Sequence, residues 1–159
     1  MEPKLFSPRL FSDERGFFFE SYRKGDVEFV QDNVSFSKKG TVRGLHFQSF
    51  PGQAKLLTCL SGEIWDVVVD LRKELPTFGK WQGFSLKPGE QIFVPIGFAH
   101  GFCALQDAMV QYKVSAFYNP ETEKTIRWND PAIGVAWPRV NPILSDRDRS
   151  APLLEEVVR

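Results

Sequence analysis

The chain has two histidines and two cysteines in 159 residues and no excess of charge, with 20 Lys plus Arg against 20 Asp plus Glu. The shortage of imidazole matters most, because proton transfer near neutral pH then has only His46 and His100 as histidine candidates. Balanced charge supplies no global field to recruit nucleic acid or an anionic membrane, so neither is expected as a partner. A small ligand is expected instead, and local arginine clusters remain competent to bind phosphate. Cys59 lies in the apolar run Leu56-Leu57-Thr58-Cys59-Leu60 and Cys103 follows Phe102; both read as small buried hydrophobes rather than a disulfide or redox pair. No apolar export segment opens the chain and no run of eighteen apolar residues occurs, so a cytoplasmic location is expected.

What the chain has is aromatic residues and turn residues. Fifteen Phe, four Trp, eleven Pro and twelve Gly fall in short runs separated by turns, the pattern of an all-β fold. Strands are expected over residues 16–22, 28–37, 41–47, 54–60, 63–71, 80–86, 90–94, 99–105, 108–115 and 133–137. Turns are marked by Lys39-Gly40, Pro51-Gly52, Ser61-Gly62, Lys87-Pro88-Gly89 and Asn119-Pro120. A short helical turn is expected over residues 24–28, and a loop followed by one helix over 145–159. The length suits one domain covering residues 1–159. In Ile64-Trp65-Asp66-Val67-Val68-Val69-Asp70-Leu71, alternation puts Asp66 on the face of Ile64 and Val68, so an interior carboxylate in need of a partner is expected.

His46 sits in Arg43-Gly44-Leu45-His46-Phe47-Gln48 and His100 in Gly97-Phe98-Ala99-His100-Gly101-Phe102. Metal-binding cupin barrels use a His-x-His pair, a carboxylate and a later His. Here Gln48 stands where the second ligand would be, and two imidazoles are too few for the usual three-ligand site, so no metal and no cofactor are expected. A lone strand histidine is ordinarily satisfied by a backbone carbonyl, and a lysine opening an apolar strand, such as Lys55, ordinarily snorkels. The company of Arg43, Lys55 and a later Asp-Pro favours a reactive His46.

Several segments together resemble a known family. They are Phe11-Ser12-Asp13-Glu14-Arg15-Gly16-Phe17-Phe18, Phe29-Val30-Gln31-Asp32-Asn33, the two histidine motifs, Gly62-Glu63-Ile64-Trp65-Asp66-Val67, Tyr112 with Tyr118-Asn119-Pro120, and Trp128-Asn129-Asp130-Pro131. In order and spacing over about residues 5 to 140 they resemble the dTDP-4-dehydrorhamnose 3,5-epimerases, metal-free cupins of rhamnose biosynthesis. The resemblance implies a cupin-type jelly roll with a short C-terminal helix, a dTDP-sugar substrate and a homodimer that exchanges strands. It implies His46 as base with Asp130 as its carboxylate, Lys55 holding the C4 oxyanion, Tyr112 as acid, His100 as a second polar group near the sugar, and Asp66 as a supporting acid. It also implies Arg15, Arg43 and Arg127 at the diphosphate, with Phe11, Phe18, Glu20, Gln31 and Asn33 near the base and deoxyribose. Tyr118 belongs to the same substrate-binding set.

Three departures from the family pattern bear on the substrate rim and the dimer: a shortened N-terminal strand, and about one residue less in each of the intervals His46 to Lys55 and His100 to Tyr112. Epimerisation at both C3 and C5 of dTDP-4-dehydro-6-deoxy-D-glucose is the leading reading. A sister enzyme acting at only C3 or only C5 of a related nucleotide sugar shares the same base and acid. A catalytically silent sugar-nucleotide-binding cupin is the reading from another class.

Overall fold

The computed structural model describes residues 1–158, in which short runs of alternating residues form strands and the Gly- and Pro-rich intervals form turns. Twelve strands and two one-turn helices occur among these residues: β1 (Lys4–Phe6), β2 (Phe11–Asp13), β3 (Gly16–Phe18), β4 (Gln31–Ser37), β5 (Val42–Gln48), β6 (Lys55–Ser61), β7 (Ile64–Asp70), β8 (Trp81–Leu86), β9 (Gln91–Val94), β10 (Phe98–Ala104), β11 (Ala108–Val114), β12 (Glu123–Thr125), α1 (Asp146–Arg149) and α2 (Leu154–Val157). One five-stranded sheet runs β1-β9-β6-β11-β4, a second runs β12-β5-β10-β7-β8, and β2 and β3 form a separate hairpin. The expected all-β cupin sandwich is therefore present.

The two sheets share an apolar interior. Leu57, Cys59, Ile92, Val94 and Val110 from the first meet Ile64, Val68, Leu86, Phe98 and Phe102 from the second. Val67 and Val69 point the other way on β7 and are also fully buried, because Ile126, Ile133, Leu154 and Trp137 pack over the outer face of the second sheet. That covering explains why β7 reads as a nearly continuous apolar run rather than a clean alternation. Both cysteines are buried and unpaired.

The expected strand over 133–137 is absent: the segment is irregular, and its apolar residues serve as the cover just described. Residues 24–28 form no helix, and the tail holds two one-turn helices rather than one. The expected strands over 16–22 and 28–37 are trimmed to Gly16–Phe18 and Gln31–Ser37.

One irregularity in the second sheet positions the site. Along β5 and β10, His46 pairs with His100 and Arg43 with Phe102, so three steps on β5 match two on β10. The extra residue is a β-bulge. In a regular strand, residues three apart face opposite sides; the bulge turns Arg43 and His46 to the same side. Gly44 at its centre has φ +129°, and a Cβ there would lie 2.6 Å from the Gly101 Cα; a Cβ on Gly101 would lie 2.6 Å from the Arg43 carbonyl oxygen. Only paired glycines allow so close an approach.

Gly44→Ala should therefore lower the unfolding free energy by about 2 kcal/mol or more, the range for a side chain forced into a Gly-only conformation. Urea denaturation would show this as a shifted midpoint, and an unchanged midpoint would count against the account of the bulge.

Candidate active site

The polar residues of the interior collect at one end of the sandwich. They line a cavity of about 370 Å³ together with Leu57, Phe102 and Val114. This is within the usual range for a small-ligand site. β4 contributes Gln31, Asn33 and Ser35, β6 contributes Lys55, β11 contributes Tyr112, and β5 and β10 contribute Arg43, His46 and His100. His46 and Tyr112 thus stand on opposite sheets and face one cavity.

Each imidazole is held by a carboxylate. His46 Nε2 lies 2.6 Å from Asp148 Oδ1, and His100 Nε2 lies 2.7 Å from Asp66 Oδ2. Asp148 sits on α1, where the Ser145 hydroxyl accepts from its amide, and its second oxygen accepts from the Gly44 amide inside the bulge. Burial alone would raise the Asp148 carboxyl, but the His46 hydrogen bond and its other donors bring it below its ordinary value. An ionised carboxylate only accepts, so the hydrogen of His46 resides on Nε2. Among the described residues Nδ1 has no hydrogen-bond partner, and its lone pair is available to the cavity.

Lys55 is buried and, among the described residues, its ammonium makes no ion pair or hydrogen bond. Burial depresses its ammonium to about 8, against the opposing pull of Glu123 and Asp66. Burial raises Tyr112, and Glu123 adds to that shift. Asp66 is fully buried; desolvation raises its carboxyl despite His100 and Lys55, and its Oδ1 has no partner. Glu123 and Arg147 stand at the cavity wall 2.6 Å apart, with Arg147 Nε also donating to Thr125. The Ser35 hydroxyl, also at the wall, is buried without a partner. Among the described residues no group of three or more His, Cys, Asp or Glu side chains is placed to share a metal ion.

The cavity brings together His46, Lys55, His100, Tyr112, Arg43, Gln31, Asn33 and Tyr118, with Asp66 behind His100. Asp130 is a correction. It is buried but away from the cavity, and its carboxylate accepts from the backbone amides of Ala132 at 2.7 Å and Leu154 at 2.6 Å. The carboxylate on His46 is Asp148, missed because Asp146-Arg147-Asp148-Arg149 reads as a solvated charge run. Arg127 is likewise diverted, its guanidinium Nε donating to the Ala151 carbonyl.

Phe11, Arg15, Phe18 and Glu20 line no part of the cavity. Phe11 and Phe18 pair across the exposed β2–β3 hairpin, Arg15 bonds Asp13, and Glu20 bonds Arg23. Arg147, Glu123, Ser35 and Gln53 are cavity residues that sequence reading passed over. Of these, Glu123 carried a faint signal, lying just after the Tyr118-Asn119-Pro120 turn.

A β-sandwich whose interior presents a carboxylate-held imidazole, a depressed lysine and a facing tyrosine has the groups with which an acid–base enzyme moves protons. Residues 2–156 match the dTDP-4-dehydrorhamnose 3,5-epimerase family. The chain is 50% identical over 156 residues to a dTDP-4-dehydrorhamnose 3,5-epimerase of Neisseria gonorrhoeae, covering 91% of this chain and 48% of that protein. It spans about half the length of that relative. A crystal structure of the Bacillus anthracis enzyme with TDP and pyrophosphate bound superposes with a TM-score of 0.91 at 49% identity, covering 96% of this chain and 94% of that one. The Legionella pneumophila 3,5-epimerase in complex with dTDP-4-keto-L-rhamnose superposes with a TM-score of 0.92 at 42% identity, covering 96% of this chain and 88% of the other. The chain belongs to the dTDP-4-dehydrorhamnose 3,5-epimerase family.

The environment of Lys55 generates a direct test. A depressed ammonium is charged below its pKa and neutral above it, so Lys55 should lose its proton near pH 8, well before exposed lysines. Heteronuclear NMR of the Lys55 side chain would detect this, and titration near 10.5 would contradict it.

Proposed function

We propose that this chain epimerises C3 and C5 of dTDP-4-dehydro-6-deoxy-D-glucose to give dTDP-4-dehydro-L-rhamnose. The observation that carries the reading is the His46–Asp148 pair facing Tyr112 across a cavity that also holds the buried Lys55. Protons at C3 and C5 are both α to the C4 carbonyl. His46 Nδ1 takes one of them, and the C–H electron pair moves into the C4 carbonyl to form an enolate. Asp148 fixes the tautomer and favours the imidazolium that results.

Lys55, protonated below about 8, stabilises the C4 oxyanion, an interaction stronger in the transition state than in the ground state. Tyr112 stays protonated because burial raises it, and it returns a proton from the opposite face, which inverts the centre. Solvent then restores the tyrosine proton and removes that of the imidazolium. His100, backed by Asp66, is a second polar contact to the sugar. Arg43 and Arg147 suit the diphosphate, since a guanidinium fork matches phosphate oxygens, while Gln31, Asn33 and Tyr118 line the cavity toward the nucleoside. A cytoplasmic setting agrees with two buried, unpaired cysteines.

The working form in this proposal is a homodimer. β4 is a sheet edge whose outward Val34 and Phe36 are 60% and 54% exposed, and the β2–β3 hairpin presents Phe11, Phe17 and Phe18 to solvent. An unpaired edge with an apolar face calls for cover, and a second copy brings such a hairpin to it. This is the place for Phe11, Arg15, Phe18 and Glu20, which reach no ligand within their own chain.

Proton NMR in deuterium oxide reads the reaction directly. With dTDP-4-dehydro-6-deoxy-D-glucose, label should enter both C3 and C5; label at C3 alone would make this a monoepimerase, and none at either position would make it a silent cupin. His46→Ala should abolish exchange at both positions, by about two to four orders of magnitude. Tyr112→Phe should cut net epimerisation far more than exchange at C3, because return of a proton to the original face remains open. A fully active Tyr112→Phe beside a dead His100→Ala would reverse the assignment of acid and base. Light scattering should give twice the mass of one chain, and an active monomer would refute the dimer.

A further inference from the structure

Asp148, the carboxylate on His46, rides on a helix of four residues, and a single turn has no stability of its own in water. Something else must hold it. On its N-terminal side the tail is tied at Ile143, whose carbonyl accepts from the Val42 amide and whose amide donates to the Gly40 carbonyl, both at 3.0 Å. Further ties, one from Arg147 on α1 itself and the rest from the tail beyond it, go to Thr125 at the end of β12 and to the segment that follows. Arg147 Nε donates to the Thr125 hydroxyl at 2.8 Å, Arg127 Nε donates to the Ala151 carbonyl at 3.0 Å, the Arg127 amide donates to the Pro152 carbonyl at 2.8 Å, and the Leu154 amide donates to Asp130 Oδ2 at 2.6 Å. The two segments run side by side in the same direction, and Asp148 sits between the ties at Ile143 and Arg147 before it and those at Ala151, Pro152 and Leu154 after it.

Asp130 is 2% exposed. Its other oxygen caps Ala132 at 2.7 Å, which fixes the carboxylate as a rigid bracket. Leu154, whose amide it grips, is buried in the apolar cluster over the second sheet. A buried carboxylate accepting from two backbone amides is costly to leave unmade, so this joint has one strongly preferred geometry.

We propose that Asp130, assisted by Arg127, is a positioning residue for the epimerisation: it clasps the C-terminal tail and thereby sets α1, and the Asp148 carboxylate, against His46. The inference rests on the reading of His46–Asp148 as the base pair. Asp130 contacts neither substrate nor imidazole; it acts through six residues of chain.

A double-substitution cycle tests it, reading the rate of deuterium entry at C3 of dTDP-4-dehydro-6-deoxy-D-glucose well below the melting temperature of each variant. Asp148→Asn should slow exchange by about two orders of magnitude, the lower end for losing assisted base catalysis. Asp130→Asn should slow the native protein by about tenfold or more, yet change the Asp148→Asn background by less than about twofold, because the clasp then has no carboxylate to place. Amide exchange should rise at Asp148 and Leu154 in Asp130→Asn. Arg127→Met, which keeps the aliphatic stem and loses the donor, should give the same pattern more weakly and serves if Asp130→Asn fails to fold. Equal slowing in both backgrounds would show a general structural role and overturn the clasp while leaving the base pair intact. Full activity of Asp148→Asn would instead remove the base pair, and with it anything for Asp130 to position.

Discussion

The close approach of β5 and β10 at Gly44 and Gly101 is the constraint on which the site depends. It admits one extra residue on β5, and that residue turns Arg43 and His46 to the same side. It sets His100 beside His46 in register. It also frees the Gly44 amide from the ladder to donate to Asp148, so the same kink that aims the base supplies a donor that keeps its carboxylate ionised. A side chain at either glycine would push the strands apart and undo all three arrangements together.

The interior end of the sandwich holds groups that a stable core would exclude. Lys55, Asp66 and His100 are all buried, and only the His100–Asp66 contact is a formed pair. Desolvation disfavours both the Lys55 cation and the Asp66 anion, so neither is there for stability. Such arrangements persist where charge must develop during a reaction, because a group already stripped of water needs little reorganisation to meet an oxyanion. Leu57, Phe102 and Val114 supply the apolar part of that cavity's lining.

Long-period features were legible in the sequence and short or tertiary ones were not. β4, β5, β6, β7, β10 and β11 have seven residues each and stand close to where the sequence puts them, whereas β1, β2 and β12 have three residues each, too few for any period to register. Residues 133–137 have the composition of a strand, yet they lie as an irregular cover over the outer face of the second sheet. His46, Lys55, His100 and Tyr112, which the family resemblance singles out, all line the cavity. Asp148 could not be singled out, since its burial arises only from contact with a strand a hundred residues earlier. Asp130 was drawn in by its motif, although its two oxygens are occupied by backbone.

Arg147 and Asp148 are neighbours on the single turn of α1, one facing the proposed diphosphate and the other holding the imidazole. A ligand that pulls on the guanidinium therefore pulls on the base. In the proposed complex, recognition of the nucleotide and reactivity at the sugar would share one mechanical element. The remote half of the substrate would there contribute to turnover as well as to occupancy, through a helix of four residues.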